Sequence, residues 1–222
     1  MIFLDLETTG VTQEDKICSA ALRDGKMQIY ELYNEKRKIT PKASSVHHIT
    51  NEMIVDKGSF QQGEIFKYLQ KYNTQESIIV MHHEPFINEM LQRSGFSFFG
   101  KIIDTKRVAK HLIPECESYA LQYLRYECKL YKNETYTLTC NALDDAYVIE
   151  LLYDYLLEIV TQEEMLELSC KPVLLEKFSF GKYKEKYIEE IYANDRGYLE
   201  WMLHLEDLDD DLRYSLEYYL KG

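Results

Sequence analysis

Three strand-like runs at the front of the chain, followed by strands that alternate with helical segments, restrict what this sequence can fold into. Residues 2–6, 17–22 and 27–33 are short apolar or alternating runs, and Asp24-Gly25 marks a hairpin turn between the second and third. Phe60, Ile65, Phe66, Leu69 and Tyr72 then recur at helical spacing, and residues 78–81 read as a buried strand. Pro85 suits the first turn of a following helix. Ile102-Ile103 predicts a fifth strand, with helices from Thr105 and from about Tyr119. The longest helix is predicted over 143–160, with Ala146, Ile149, Leu152, Tyr153 and Leu156 on its apolar face. Tight turns join antiparallel neighbours, whereas parallel neighbours need a crossover. The predicted fold is therefore α/β, a mixed five-stranded sheet flanked by helices.

The pattern breaks around Pro172. Beyond it, 178–181 reads as a strand and turn, and helices are predicted near 187–192, 197–203 and 208–220. The expected division is one domain over 1–168 and a small α+β module over 175–222. The acids Asp207, Asp209, Asp210 and Asp211 precede the last helix, where acids favour an N-terminus. They are expected to form a solvated cap rather than a metal site.

Charge and cysteine content exclude several functions. Thirty-eight acids against 26 Lys and Arg leave −12, which repels a polyanion at long range and argues against a general nucleic-acid coat. Contact with nucleic acid must then be local or metal-assisted. The five cysteines form no C-x-x-C pair and are odd in number, against a disulfide framework or a cysteine-rich zinc site. With no apolar run of about 18 residues and no secretory leader pattern at Met1, the expected location is the cytoplasm, off the membrane.

Asp5 and Glu7 stand at i and i+2, on one face at the end of an apolar strand. Charge there either reaches solvent at a strand end or meets a hard divalent cation such as Mg²⁺ or Mn²⁺. The whole run FLDLETTG resembles the first motif of the DnaQ-like (DEDDh) 3′–5′ exonucleases, which have a ribonuclease H-like fold. Val46-His47-His48-Ile49-Thr50 resembles their H-G-I-T loop, with His48 where glycine is usual. Cys140-Asn141-Ala142-Leu143-Asp144-Asp145-Ala146 resembles their third motif, H-x-A-x-x-D-A. The resemblance spans roughly residues 1–160. It implies two-metal hydrolysis of the terminal phosphodiester, with Asp5, Glu7 and Asp145 as metal ligands and catalytic residues. Thr8 and Thr9 would lie beside the terminal nucleotide, with backbone amides facing the 3′ end. His48 and Ile49 would press on the terminal base.

Two departures bear on activity. The second motif usually reads A-H-N-x-x-F-D, and Met81-His82-His83-Glu84-Pro85-Phe86-Ile87 aligns with it without a gap. Ile87 thus replaces an aspartate that helps hold the second metal, and isoleucine ligates nothing. Glu84 or Asn88 would need a local shift to substitute. Cys140 replaces the third motif's histidine, the family's general base. A thiol accepts a proton only as thiolate, with an ordinary pKa of about 8.5 that nearby carboxylates raise. One metal site is expected and the second is in doubt.

Phe178-Ser179-Phe180-Gly181-Lys182-Tyr183-Lys184 and Gly197-Tyr198-Leu199-Glu200-Trp201 resemble a small module that follows exonuclease domains of the exonuclease X type. Glu185 stands where that module usually has glycine. Lys182 and Lys184, among Phe180, Tyr183 and Tyr187, either grip a phosphate backbone or are simply solvated. The expected function is a divergent, weakened exonuclease acting on DNA or RNA 3′ ends. The alternative is a non-catalytic module that binds a 3′ end or a protein partner. Oligomeric state is not legible in the sequence.

Overall fold

The computed structural model describes residues 1–114, 116–133 and 141–221. The chain forms two compact units, Met1–Ser169 and Cys170–Gly222.

In the first unit, strands β1 (Ile2–Thr8), β2 (Ile17–Asp24) and β3 (Met27–Leu32) form the antiparallel meander. Helices α1 (Pro41–His47), α2 (Asn51–Ile54) and α3 (Glu64–Lys71) follow, then β4 (Ile78–Met81), α4 (Glu84–Arg93), β5 (Lys101–Asp104) and α5 (Thr105–Leu112). Helices α6 (Leu121–Glu127), α7 (Ala142–Leu157) and α8 (Gln162–Cys170) complete the order. The sheet runs β3-β2-β1-β4-β5, with β4 parallel to both β1 and β5.

The period-2 geometry of β1 sorts its residues between two cores. Ile2, Leu4 and Leu6 pack with Ile65, Phe66 and Leu69 of α3 and Met90 and Leu91 of α4. Phe3 packs on the opposite side with Val108 of α5, Leu124 of α6 and Val148, Ile149 and Leu152 of α7. Asp5 and Glu7 continue the Phe3 row, so they face α7. Ala21 of β2 packs with Ala142 and Ala146, and these small side chains let the N-terminal turn of α7 approach the sheet closely. Asn141 caps that turn by accepting from the amides of Leu143 and Asp144.

The second unit contains α9 (Ile188–Asn194), α10 (Arg196–Met202) and α11 (Asp210–Lys221) around Phe178, Ile188, Leu199 and Leu216. The strand expected over 178–181 is reduced to two isolated bridges, Lys177 with Tyr187 and Phe178 with Lys184. The acid cluster is not uniformly solvated. Asp209 accepts from the Leu212 amide as a cap, but Asp211 is 5% exposed and accepts from the Val173 amide at 2.9 Å. That bond, with Leu175 donating to the Ser215 hydroxyl at 2.7 Å, fastens the extended 173–175 segment to α11.

Three departures from the resembled motifs share one backbone property. His48, His83 and Glu185 have φ of 60°, 73° and 66°, the left-handed region. Glycine at His48 and Glu185, or asparagine at His83, adopts it at lower cost. The turns are kept, at about 1 kcal/mol each.

Candidate active site

Asp5 and Glu7 from β1 and Asp145 from the first turn of α7 offer oxygens that all lie within 4.8 Å of one another. Among the described residues, this is the one group of three or more side chains arranged to hold a metal ion. Each is half-buried. Burial, followed by the charges of Asp145 and Glu7, raises the Asp5 carboxyl well above the usual carboxylate range. Burial and the Asp145 charge push Glu7 up to about 8. Burial raises Asp145 to about 6, against the lowering effects of the Gln122 hydrogen bond and the Arg125 charge. Three carboxylates this close ionise together only beside a compensating cation. An all-oxygen donor set of this kind fits Mg²⁺ or Mn²⁺.

The rim of the site is held by the β1–β2 loop. Asp15, 2% exposed, accepts from the Thr9 hydroxyl at 2.8 Å and from the amide and hydroxyl of Thr12. Burial raises its pKa, but the bonds from Thr12 and Thr9 and the Arg37 charge outweigh burial and hold it at about 2. A Cβ at Gly10 would lie 2.6 Å from Asp15 Oδ2, so this packing requires glycine. From α4, Arg93 donates to the carbonyls of Thr12, Gln13 and Asp15.

This loop uses groups expected to meet a substrate. The Thr9 amide donates to the Lys16 carbonyl, and the Thr8 hydroxyl donates to the Gly10 carbonyl. Thr8 and Thr9 are 7% and 1% exposed, so their side chains serve the loop. Ile49 is also turned inward, packed with Cys18, Ile39 and Ile54, and in this structure its side chain offers no face to a base. His48 beside it is exposed. His47, the histidine of the H-G-I-T-like loop, links the two motifs. Its Nδ1 accepts from the Ile49 amide at 3.1 Å, so Nε2 carries the proton and donates to the Thr8 carbonyl at 3.2 Å.

The second motif does not complete a second cation site. Ile87 is 3% exposed and lies in the apolar cluster with Leu6, Met81, Met90 and Leu91. Glu84 and Asn88 bond each other along α4, with Asn88 Nδ2 donating to Glu84 Oε1 at 2.8 Å. His82, which with His83 is the candidate in this region to replace the base lost at Cys140, is not free. Its Nε2 donates to the Tyr119 carbonyl at 2.8 Å, its Nδ1 meets the Thr105 hydroxyl at 3.0 Å, and burial lowers its pKa to about 4. Asp104 accepts from the amides of His83, Glu84, Lys106 and Arg107, capping α4 and α5 together. Cys140 lies outside the described residues.

A family model described as exonuclease matches residues 2–153 of this arrangement. This chain is a member of the DnaQ-like exonuclease family. A second model, described as exodeoxyribonuclease X-like C-terminal, matches residues 178–206, so the chain also carries an exonuclease X-type C-terminus. Exodeoxyribonuclease 10 of Escherichia coli (strain K12) is 27% identical, covering 99% of this chain and 98% of that one. The DNA polymerase III subunit epsilon of Buchnera aphidicola is 30% identical, covering 68% of this chain and 70% of that one. A structure of exonuclease X in complex with 5′ overhanging duplex DNA superposes with a TM-score of 0.62 at 26% identity, covering 76% of this chain and 98% of that one. Exonuclease I, at 16% identity and a TM-score of 0.57, shares the fold over 75% of this chain and 42% of its own. No helix among the described residues is long and apolar enough to cross a membrane.

In the second unit, Lys182 and Lys184 are exposed. Lys182 Nζ lies 3.1 Å from Asp195 Oδ2 and 4.5 Å from the centre of the Tyr183 ring. Glu185 donates its amide to the Phe178 carbonyl at 2.8 Å, which closes the turn despite its positive φ.

Proposed function

We propose that this chain is a divalent-metal-dependent 3′–5′ exonuclease of DNA or RNA ends, impaired because it keeps one cation site and lacks the other. The observation that carries this reading is the convergence of Asp5, Glu7 and Asp145 within 4.8 Å while Ile87 is sealed in the apolar core. The chemistry is assigned to residues 1–168, and an accessory nucleic-acid contact through Lys182 and Lys184 to residues 175–222. The four cysteines among the described residues are free, which supports a reducing, cytoplasmic setting.

A bound Mg²⁺ or Mn²⁺ would supply charge stabilisation at the phosphate and a lowered pKa for the attacking water. Asp5, Glu7 and Asp145 would hold that ion. His48, exposed at the end of α1, is assigned the contact to the terminal nucleotide. The β1–β2 loop, braced by Asp15 and Arg93, bounds the 3′ end. The missing part is the third motif's histidine, the family's proton acceptor. The Cys140 thiol that replaces it accepts a proton only as thiolate; of the two histidines of the second motif, His82 has both ring nitrogens engaged, which leaves the exposed His83 as the one replacement. Loss of a positioned base typically costs about 10²–10⁴ in rate. The same deficit favours a second reading, in which the groove binds a 3′ end or a protein partner without turnover.

The related exonuclease X complex makes a 5′-overhanging DNA duplex the first substrate to try. Matched 3′- and 5′-labelled DNA and RNA oligonucleotides with Mg²⁺, Mn²⁺ or EDTA distinguish the readings. Slow, metal-dependent release of the 3′ label supports an impaired exonuclease. Binding without release supports the second reading, and turnover matching active relatives refutes impairment.

A further inference from the structure

Asp145 is held from outside the acid cluster. On α6, Gln122 donates from Nε2 to Asp145 Oδ1 at 2.5 Å, and its own Oε1 accepts from Arg125 Nη1 at 3.2 Å. The arrangement fixes the glutamine's orientation. Rotated end for end, its carbonyl would oppose a carboxylate and its amide would oppose a guanidinium. Gln122 is half-buried, and Leu124 between the two residues anchors α6 in the core shared with α7.

We infer that Gln122 is a positioning residue for the cation site and that Arg125 acts through it. The inference rests on the metal reading of Asp5, Glu7 and Asp145. A guanidinium bonded directly to Asp145 would compete with a divalent ion for the same oxygens. A neutral amide instead presents one aligned donor and keeps the positive charge one side chain away. The carboxylate is oriented without being neutralised. Partners one shell out from metal ligands typically account for about 10–100-fold in metal affinity. Here that role belongs to two residues on a different helix from the ligand they serve.

The test is Mn²⁺ binding to the full chain, read from the electron paramagnetic resonance signal of free Mn²⁺ at fixed pH, without nucleic acid. Gln122→Leu removes the amide and keeps most of the volume, and it is expected to weaken binding about 10-fold. Arg125→Met should weaken it less, and the double variant should match Gln122→Leu alone, because the two groups act in series. Asp145→Asn serves as the control that loses the site. Gln122→Leu binding Mn²⁺ within twofold of wild type, with circular dichroism and Tm unchanged, overturns the inference while leaving the metal reading intact. If Gln122→Leu fails to fold, Arg125→Met carries the test, and wild-type affinity in it overturns the relay. A wild-type chain that binds no Mn²⁺ overturns the metal reading, and the inference falls with it.

Discussion

Replacing Glu7 with glutamine should stabilise the metal-free protein at alkaline pH. Glu7 sits on β1 opposite Ser19, half-buried, with its pKa raised from 4.5 to about 8 first by burial and then by the Asp145 charge. The folded state therefore binds the Glu7 proton more tightly than the unfolded state does. The associated stability is complete below about pH 4.5 and is lost as pH rises through about 8. At about 1.4 kcal/mol per pH unit, the displacement sets a ceiling of about 5 kcal/mol. Water reaching the half-buried carboxylate, and proton sharing among three acids, reduce this to about 2 kcal/mol. Glutamine keeps the shape and carries no charge, so Glu7→Gln should recover about that amount at pH 9 and little at pH 4.5. In a chain of this size, about 2 kcal/mol is about 4–8 °C in Tm. Thermal unfolding in EDTA at the two pH values measures it. Mn²⁺ should raise the wild-type Tm at pH 8 and raise that of the variant much less, since binding to the native state alone is stabilising. A variant no more stable than wild type at pH 9, or one whose gain is larger at pH 4.5, refutes the reading of Glu7 as a carboxylate strained by its neighbours.

Other parts of the molecule make separate predictions. Asp104→Ala should cost about 3 kcal/mol in denaturant unfolding, because four backbone amides at the starts of α4 and α5 lose their acceptor together; a loss below about 1 kcal/mol would show that water replaces it. Ile87→Asp with Cys140→His should raise Mg²⁺-dependent 3′–5′ cleavage above the native rate, with some loss of stability from placing a carboxylate in an apolar cluster. Asp5→Ala should abolish the gain, and a folded double variant that binds Mn²⁺ and oligonucleotide yet does not cleave would refute Ile87 and Cys140 as the sufficient cause of the impairment. Charge reversal at Lys182 and Lys184 should weaken oligonucleotide binding and flatten its salt dependence, whereas an unchanged salt slope in a binding titration would make them solvated surface. Glu185→Gly should stabilise the second unit by about 1 kcal/mol in calorimetry, since glycine accepts φ 66° without a Cβ penalty; a destabilised variant would contradict this.

The five strands, their mixed order and the shared face of Asp5 and Glu7 were legible in the chain, because period-2 alternation and turn residues act between near neighbours. So was the apolar face of α7, from Ala146 to Leu156. The start of α8 is also written locally, in a T-x-x-E signature: Thr161 and Glu164 form a reciprocal cap. Helices α1 and α2 are too short to establish a helical period, although Thr40 before Pro41 marks where α1 begins. Motif resemblance brought Asp145 to Asp5 and Glu7 across 138 residues of chain, which no local pattern could do.

Other features depend on which elements meet. Ile49 lies in a motif expected to face substrate, yet it fills a small core with Cys18 and Ile54 because the loop folds back over β2. Asp211 sits in an acid run that reads as solvated, yet the Val173 amide needed an acceptor once the 173–175 segment lay along α11. Gln122 and Arg125 look like ordinary polar positions on an amphipathic helix. Only the packing of α6 against α7 turns one toward Asp145 and the other toward its amide. Local periodicity and turn chemistry determined the strands and the helix faces. Asp211 and Asp145 find their partners on elements far away in the chain, and tertiary structure alone decided those pairings.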